Sequence, residues 1–251
     1  MDSVTQITLG SAVGQAVLGR KIGNKALIWG GIAGLIPDLD VIPTQFMNDV
    51  NRVAYHRSIS HSIPFFLLLS PLLTLLARKI HPKYNGVTGR MGWFWLFFLG
   101  LLTHALLDCF TTWGTQLFWP LDYRVAIQSI FVIDPLYTVP LLTGLIIGTV
   151  RNAKPRGTLK ANTLGLIISS AYLVLTMANK AYVNSQFAAS LKQQGIEYVD
   201  IDSRPTPFNN LLWSANAETK EGFHIGYYSV LDNQWPIDFD YFPKRHQLLP
   251  E

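Results

Sequence analysis

The sequence predicts a polytopic α-helical membrane bundle of about four to six membrane helices, the first two short or re-entrant, followed by a small β-rich extramembrane domain. Three observations carry this. First, 49% of the 251 residues are hydrophobic, 14% are charged and the mean hydropathy is +0.23, whereas about a quarter of the residues in a soluble domain are charged. Second, apolar runs of helical length recur along the chain with short basic clusters between them. Third, the composition turns polar and aromatic from residue 186.

The elements follow in order. Candidate helices cover residues 4–19 and 25–37, where GSAVGQAVLG and GGIAGL supply the small residues that let membrane helices approach closely. Further candidates cover 61–79, 92–110, 135–150 and 162–181. No run is a featureless apolar span, but flanking small and polar residues extend each one, and helices buried in a bundle tolerate them. Trp93, Trp95, Trp113 and Trp119 flank the fourth candidate as interfacial belts. Beyond residue 186, IEYVDID, NLLWSA and FHIGYYSVLD read as short strands broken by RPTPFNN and DNQWP. Residues 1–185 therefore form the membrane domain and 186–251 the β-rich domain, in which His224 and His246 are structural. The single cysteine, Cys109, excludes an intramolecular disulfide. The opening MDSVTQITLG lacks a basic n-region and is not expected to be a cleaved signal peptide.

Charge sets the orientation. Arg20, Lys21 and Lys25, then Arg78, Lys79, Lys83 and Arg90, then Arg151, Lys154, Arg156 and Lys160 occupy alternate loops, which places those loops in the cytoplasm. Loops 38–60 and 111–134, both termini and the β-rich domain then lie outside, and Arg52, Arg57 and Arg124 are exceptions to the rule. The net charge of +4 is spread over loops rather than gathered in a patch, so membrane lipids, not nucleic acid, are the expected partners.

This topology gathers the polar residues that carry chemistry. Asp38 and Asp40, in PDLD, stand at the outer end of the second candidate helix, and His56 and His61, in YHRSISH, precede the third. His104 and Asp108 lie in the outer half of the fourth, Asp134 opens the fifth, and Asp2 and Gln6 open the first. His104 and Asp108 are spaced i, i+4 and share one side of their helix, as two ligands of one metal require. Imidazole with carboxylate suits Zn, Mn or Fe(II), and carboxylates alone suit Mg or Mn. Taken singly these residues have ordinary explanations. A histidine in an apolar helix is often a hydrogen-bonded core residue, Pro-Asp is a common helix stop, and Arg57 suits lipid headgroups. It is the ensemble that points to a divalent metal, zinc first, with Mn, Fe or Mg as alternatives. His81, in KIHPKY, lies on the opposite side as a surface residue.

The motifs together resemble the YdjM-like family of bacterial inner-membrane metal-dependent hydrolases. MDSVTQITLG resembles its M-D-x-x-T-H start, PDLD its P-D-x-D, HRSISHS its H-R-x-x-[ST]-H-S, HALLDCFTTWGT its H-x-x-x-D stretch with a Thr/Gly turn, and FVIDPLYT a further D-P element. The likeness spans about residues 1–150 and implies a multi-pass enzyme of the bacterial cytoplasmic membrane with a divalent metal held by these His and Asp residues. Gln6 stands where the pattern has His; either it lies outside the ligand set or metal binding differs here.

The function this predicts is a membrane-bound hydrolase acting on a lipid or lipid-linked (phospho)ester at the outer membrane face. An ion held by some of Asp38, Asp40, His56, His61, His104 and Asp108 would lower the pKa of a water from about 15.7 toward about 7. Asp40 or Asp134 would act as general base or orient a ligand histidine, and Arg57 would hold the anionic part of the substrate. The β-rich domain would cap the site and select the headgroup. Two other classes use the same residues: a cation or proton transporter, which needs charge through the membrane midplane, and a non-catalytic scaffold with a structural metal.

Overall fold

Close glycine contacts fix the first helical pair. α1 (Ser3–Ile22) and α2 (Asn24–Leu35) join through Gly23, whose φ of +61° disfavours any side chain. A Cβ on Gly30 would lie 2.2 Å from the Gly10 carbonyl oxygen, and one on Gly34 would lie 2.4 Å from that of Gln6, so the two backbones touch. Asp2 caps α1, its carboxylate accepting from the Thr5 amide at 3.0 Å.

The chain then crosses the end of the bundle in short pieces. A 3-10 turn at Pro37–Asp40 leads into α3 (Val41–Thr44) and α4 (Asp49–Tyr55), and a second at Ile59–His61 leads into α5 (Ile63–Ile80). α5 begins with the Ser62 cap and a proline in its first turn, where the missing N–H leaves no bond unmade. α6 (Asn85–Cys109) is interrupted at Gly89, with φ +65°, and α7 (Pro135–Val150) and α8 (Pro155–Gln193) complete the helices. The computed structural model describes residues 1–150, 155–232 and 235–244; Arg151, Lys154 and His246 lie outside them.

Four segments are long and apolar enough to cross a membrane: Asn24–Thr44, Ile63–Ile80, Pro82–Cys109 and Lys160–Gln193, with Pro135–Thr149 a shorter apolar helix. Leu67, Leu68, Leu72, Leu75 and Leu76 of α5 are exposed, an arrangement suited to lipid rather than water. Trp29 stands edge-on to His81 at 6.1 Å, and His81 stacks on Trp93 at 6.2 Å, which brings the first two basic turns to one end of the bundle. His81 is therefore half-buried in an aromatic cluster rather than free on the surface, and Trp93 is fully buried rather than part of a belt. Trp95 and Trp113 are exposed.

At the other end sits an antiparallel sheet with strands in sequence order: β1 (Asp200–Pro205), β2 (Leu212–Glu218), β3 (Gly222–Ser229) and β4 (Phe239–Pro243). Alternation along β2 buries Trp213, Ala215 and Ala217 on one face. Trp213 and Ala215 pack with Val183 and Phe187 of α8, so this helix continues past residue 186 and shares the core of the sheet. Asn210 donates to the Ser129 carbonyl at 2.7 Å and Phe208 meets Phe131, which ties the sheet to the loop between α6 and α7.

The glycine contact makes the first prediction. Gly30→Ala forces α1 and α2 apart and is expected to cost about 1–3 kcal/mol, read as a lower thermal midpoint of the detergent-solubilised protein; an unchanged midpoint would contradict the packing described.

Candidate metal centre

Four side chains from three parts of the chain converge where α2 and α6 end and α5 begins. Asp38 comes from the 3-10 turn after α2, His61 from the turn before α5, and His104 and Asp108 from successive turns of α6. One ligand atom from each lies within 4.8 Å of the others. His61 Nε2 and His104 Nε2 are 3.1 Å apart, and Asp38 Oδ1 is 3.4 Å from His104 Nε2 and 3.7 Å from His61 Nε2. Asp108 Oδ2 is 3.6 Å from each nitrogen. Ligands about 2.0–2.2 Å from a tetrahedral ion are separated by about 3.3–3.6 Å, so the spacing fits one divalent cation. His61, His104 and Asp108 are fully buried.

Hydrogen bonds fix the tautomers. His104 Nδ1 donates to the Gly34 carbonyl at 2.6 Å, an oxygen that can only accept, so its Nε2 presents a lone pair. Ser60 Oγ donates to Asp40 Oδ2 at 2.8 Å and so accepts from His61 Nδ1 at 2.9 Å, which leaves His61 Nε2 with a lone pair as well. The two Nε2 atoms thus face one point, with two carboxylates beside them. Such a group needs a positive charge between its members. Burial alone would lower the His61 pKa, but hydrogen bonding with Asp108 and Asp38 reverses this and raises it above the ordinary histidine value, so the local field favours a cation.

The neighbours of this group orient it. Asp108 Oδ2 is buried without a hydrogen bond, whereas Oδ1 accepts from Gln6 Nε2 at 3.0 Å and meets the Met1 amino group. Gln6 therefore steadies Asp108 through its amide nitrogen, while its Oε1 is buried without a hydrogen-bond partner. Asp40, expected among the ligands or as the base, is spent on hydrogen bonds: it accepts from Ser60, from the Arg57 amide at 2.9 Å and from His56 Nδ1 at 2.9 Å. Asp40 and His56 stand one step outside the four ligand atoms. Asp134 is not brought to the group. Its carboxylate caps α7, accepting from the Leu136 amide at 2.9 Å, and accepts from the Tyr172 hydroxyl at 2.8 Å; burial raises its pKa.

Arg57 links the group to the surface. It is buried, adopts a left-handed φ of +60°, places Nε 3.3 Å from Asp108 Oδ2 and donates from Nη1 to Thr111 at 3.0 Å. Arg57 and His56 also line an open cavity of about 370 Å³ with Arg52, Arg124 and Trp113. Among the described residues no residue of the sheet lines this cavity. Among the described residues the buried side chains of the Asp, Glu, His, Lys and Arg type are Arg57, His61, His104, Asp108 and Asp134. All belong to the end of the bundle where α6 stops and α7 starts, and among the described residues no run of buried charged side chains continues from there to the opposite end.

Ser60, Gly34 and Arg124 were not assigned roles by sequence reasoning. Ser60 lay inside a motif but looked like a mere Ser/Thr variation. Gly34 acts through a backbone oxygen, which no residue type announces. Arg124 did leave a signal, as one of three arginines on the wrong side of the charge rule, and all three line the cavity.

The chain matches the YdjM inner membrane protein family over residues 1–183. It is 27% identical over 155 residues to the uncharacterized protein YfhP of Bacillus subtilis (strain 168), covering 59% of this chain and 46% of that protein. It is 31% identical over 111 residues to the inner membrane protein YbcI of Escherichia coli (strain K12), covering 41% of this chain and 57% of that protein. The chain thus spans about half the length of these curated relatives. No solved structure matches it.

Metal content of the purified protein separates the residues by role. His61→Ala and Asp108→Ala are each expected to abolish stoichiometric divalent metal, Ser60→Ala to weaken affinity about 10–100-fold, and Asp134→Asn to leave it intact. Metal retained in His61→Ala would contradict the assignment.

Proposed function

The chain belongs to the YdjM inner membrane protein family, and from that premise we propose that it is a metal-dependent hydrolase of lipid or lipid-linked phosphoesters, working at the membrane surface. The observation that carries this is the pair of facing imidazole nitrogens, 3.1 Å apart, flanked by Asp38 and Asp108 and opening through Arg57 toward a cavity. Asp38, His61, His104 and Asp108 would hold the cation, which supplies Lewis acidity and lowers the pKa of a water toward neutrality.

The remaining steps fall to residues of this chain. Arg57 faces Asp108 on one side and lines the cavity on the other, so its guanidinium is placed to orient a phosphoryl oxygen beside the metal group. His56 lines the cavity, and Asp40 accepts from its Nδ1, leaving Nε2 as the proton acceptor. In hydrolysis the water oxygen attacks phosphorus and its proton passes to His56 Nε2. The ester P–O bond breaks, and the departing oxygen takes that proton from His56 Nε2, which returns the imidazole to its starting state. Asp40 thereby acts as a positioning residue, through His56 and through Ser60 to His61. The confinement of buried charged side chains, among the described residues, to one end favours chemistry there over a proton path through the bundle.

With a metal-loaded preparation and a lipid phosphoester, His56→Gln is expected to lower kcat about 10²–10⁴-fold while leaving metal content unchanged. Undiminished turnover in His56→Gln would remove the histidine from the mechanism, and no turnover of any phosphoester by the metal-loaded wild type would remove the hydrolase reading.

A further inference from the structure

The cavity beside the metal centre has a composition that the centre alone does not require. Arg52, Arg57 and Arg124 line it together with His56, and no carboxylate is among its lining residues. Arg52 pairs with the exposed Asp49 at 3.5 Å, and Arg124 donates to the His56 carbonyl at 3.4 Å. Burial and the neighbouring Arg57 both depress the Arg124 pKa, against the pull of Asp122, so two guanidiniums share a partly desolvated space. Like charges held together at such a place are stabilised by an anion between them.

The rest of the wall is apolar, with Val41 and Trp113 on it. Outside it, Phe46 is 88% and Val50 79% exposed, and Leu39, Ile42 and Tyr55 are exposed as well. These residues sit on the short helices over the bundle end, where side chains of this kind belong in the headgroup and upper acyl region of a bilayer. A basic pocket with an apolar, lipid-facing rim suits an amphiphile whose head is a phosphate.

We infer that this cavity is the phosphate pocket for the substrate of the adjacent centre: Arg57 and Arg124 grip the phosphate of an amphiphilic phosphomonoester or diphosphate, and its hydrocarbon leaves past Trp113 toward the exposed rim. The inference deepens the hydrolase reading and rests on it for which bond is cut, but the binding it describes is measurable without turnover. Arg124 and Arg52 become specificity residues, separate from the metal ligands.

The test is binding of short-chain phosphatidic acid, short-chain phosphatidylcholine and inorganic phosphate to the full chain in detergent, followed by Trp113 fluorescence, with metal content measured on each sample. Trp113→Phe identifies the reporting signal, and thermophoresis provides an independent readout. Phosphatidic acid is expected to bind at least tenfold more tightly than phosphatidylcholine. Arg124→Gln is expected to weaken it about tenfold or more, as the loss of one charge-assisted hydrogen bond implies, with metal content unchanged. Inorganic phosphate that binds as tightly as phosphatidic acid would keep the anion pocket and overturn its lipid part. Equal affinity for the two lipids, or no effect of Arg124→Gln and Arg57→Gln, would overturn the pocket altogether. Turnover of a phosphoester by an unimpaired Arg124→Gln protein would reject the pocket and leave the hydrolase standing; tight phosphatidic acid binding with no turnover would do the reverse.

Discussion

Two imidazole nitrogens facing each other at 3.1 Å, each with its ring N–H committed elsewhere, are the constraint on which the rest of the structure depends. Two ring nitrogens in that position call for a proton or a metal cation between them, and the two carboxylates beside them favour positive charge there. Much of the surrounding fold serves to keep the pair in place. Gly34 offers its carbonyl to His104 from a helix held at backbone contact with α1, an approach that needs the glycines at positions 10, 30 and 34. Ser60 and Asp40 hold His61 in the same way, and Gln6 keeps Asp108 turned toward the group. The left-handed backbone at Arg57 is part of this scheme, since its amide binds Asp40 while its side chain reaches Asp108.

The location at the end of the bundle explains how such a group coexists with a membrane. Buried charge is tolerated in an apolar bundle when every member has a partner and when the site opens to the headgroup region rather than to lipid tails. α2 and α6 bring their ends to this level, and the short turns of residues 37–61 close over it. On the opposite end, the aromatic cluster of Trp29, His81 and Trp93 packs the two basic turns together and offers no ligand set. The two ends of one bundle are thus chemically distinct, and the family's place in the inner membrane is consistent with that polarity.

Much of this was legible in the sequence, because composition and spacing act locally. The i, i+4 pair on α6 had to share a face, and the apolar runs between basic clusters had to form helices long enough to matter. The meeting of PDLD, HRSISH and H-x-x-x-D at one end followed from alternation alone. What stayed hidden depends on contacts across the fold. Asp38 and Asp40 look equivalent two residues apart, yet the 3-10 turn sends one toward the histidines of the group and the other toward His56, Ser60 and the Arg57 amide. Asp134 reads as one more acid at the right end, but Tyr172 of α8 and the first amides of α7 claim its oxygens. Trp93 reads as an interfacial residue because its burial is decided by Trp29 and His81, which come from other helices. β4 was not foreseen, since its register is set by β3 rather than by a pattern of its own.

The most direct test of the central claim is X-ray absorption at the metal edge of the zinc-loaded protein in detergent. The account predicts about four nitrogen and oxygen scatterers at about 2.0–2.2 Å, with the outer-shell signature of two imidazoles that drops to one in His104→Ala. A metal spectrum lacking imidazole scattering, or unchanged by that substitution, would contradict it.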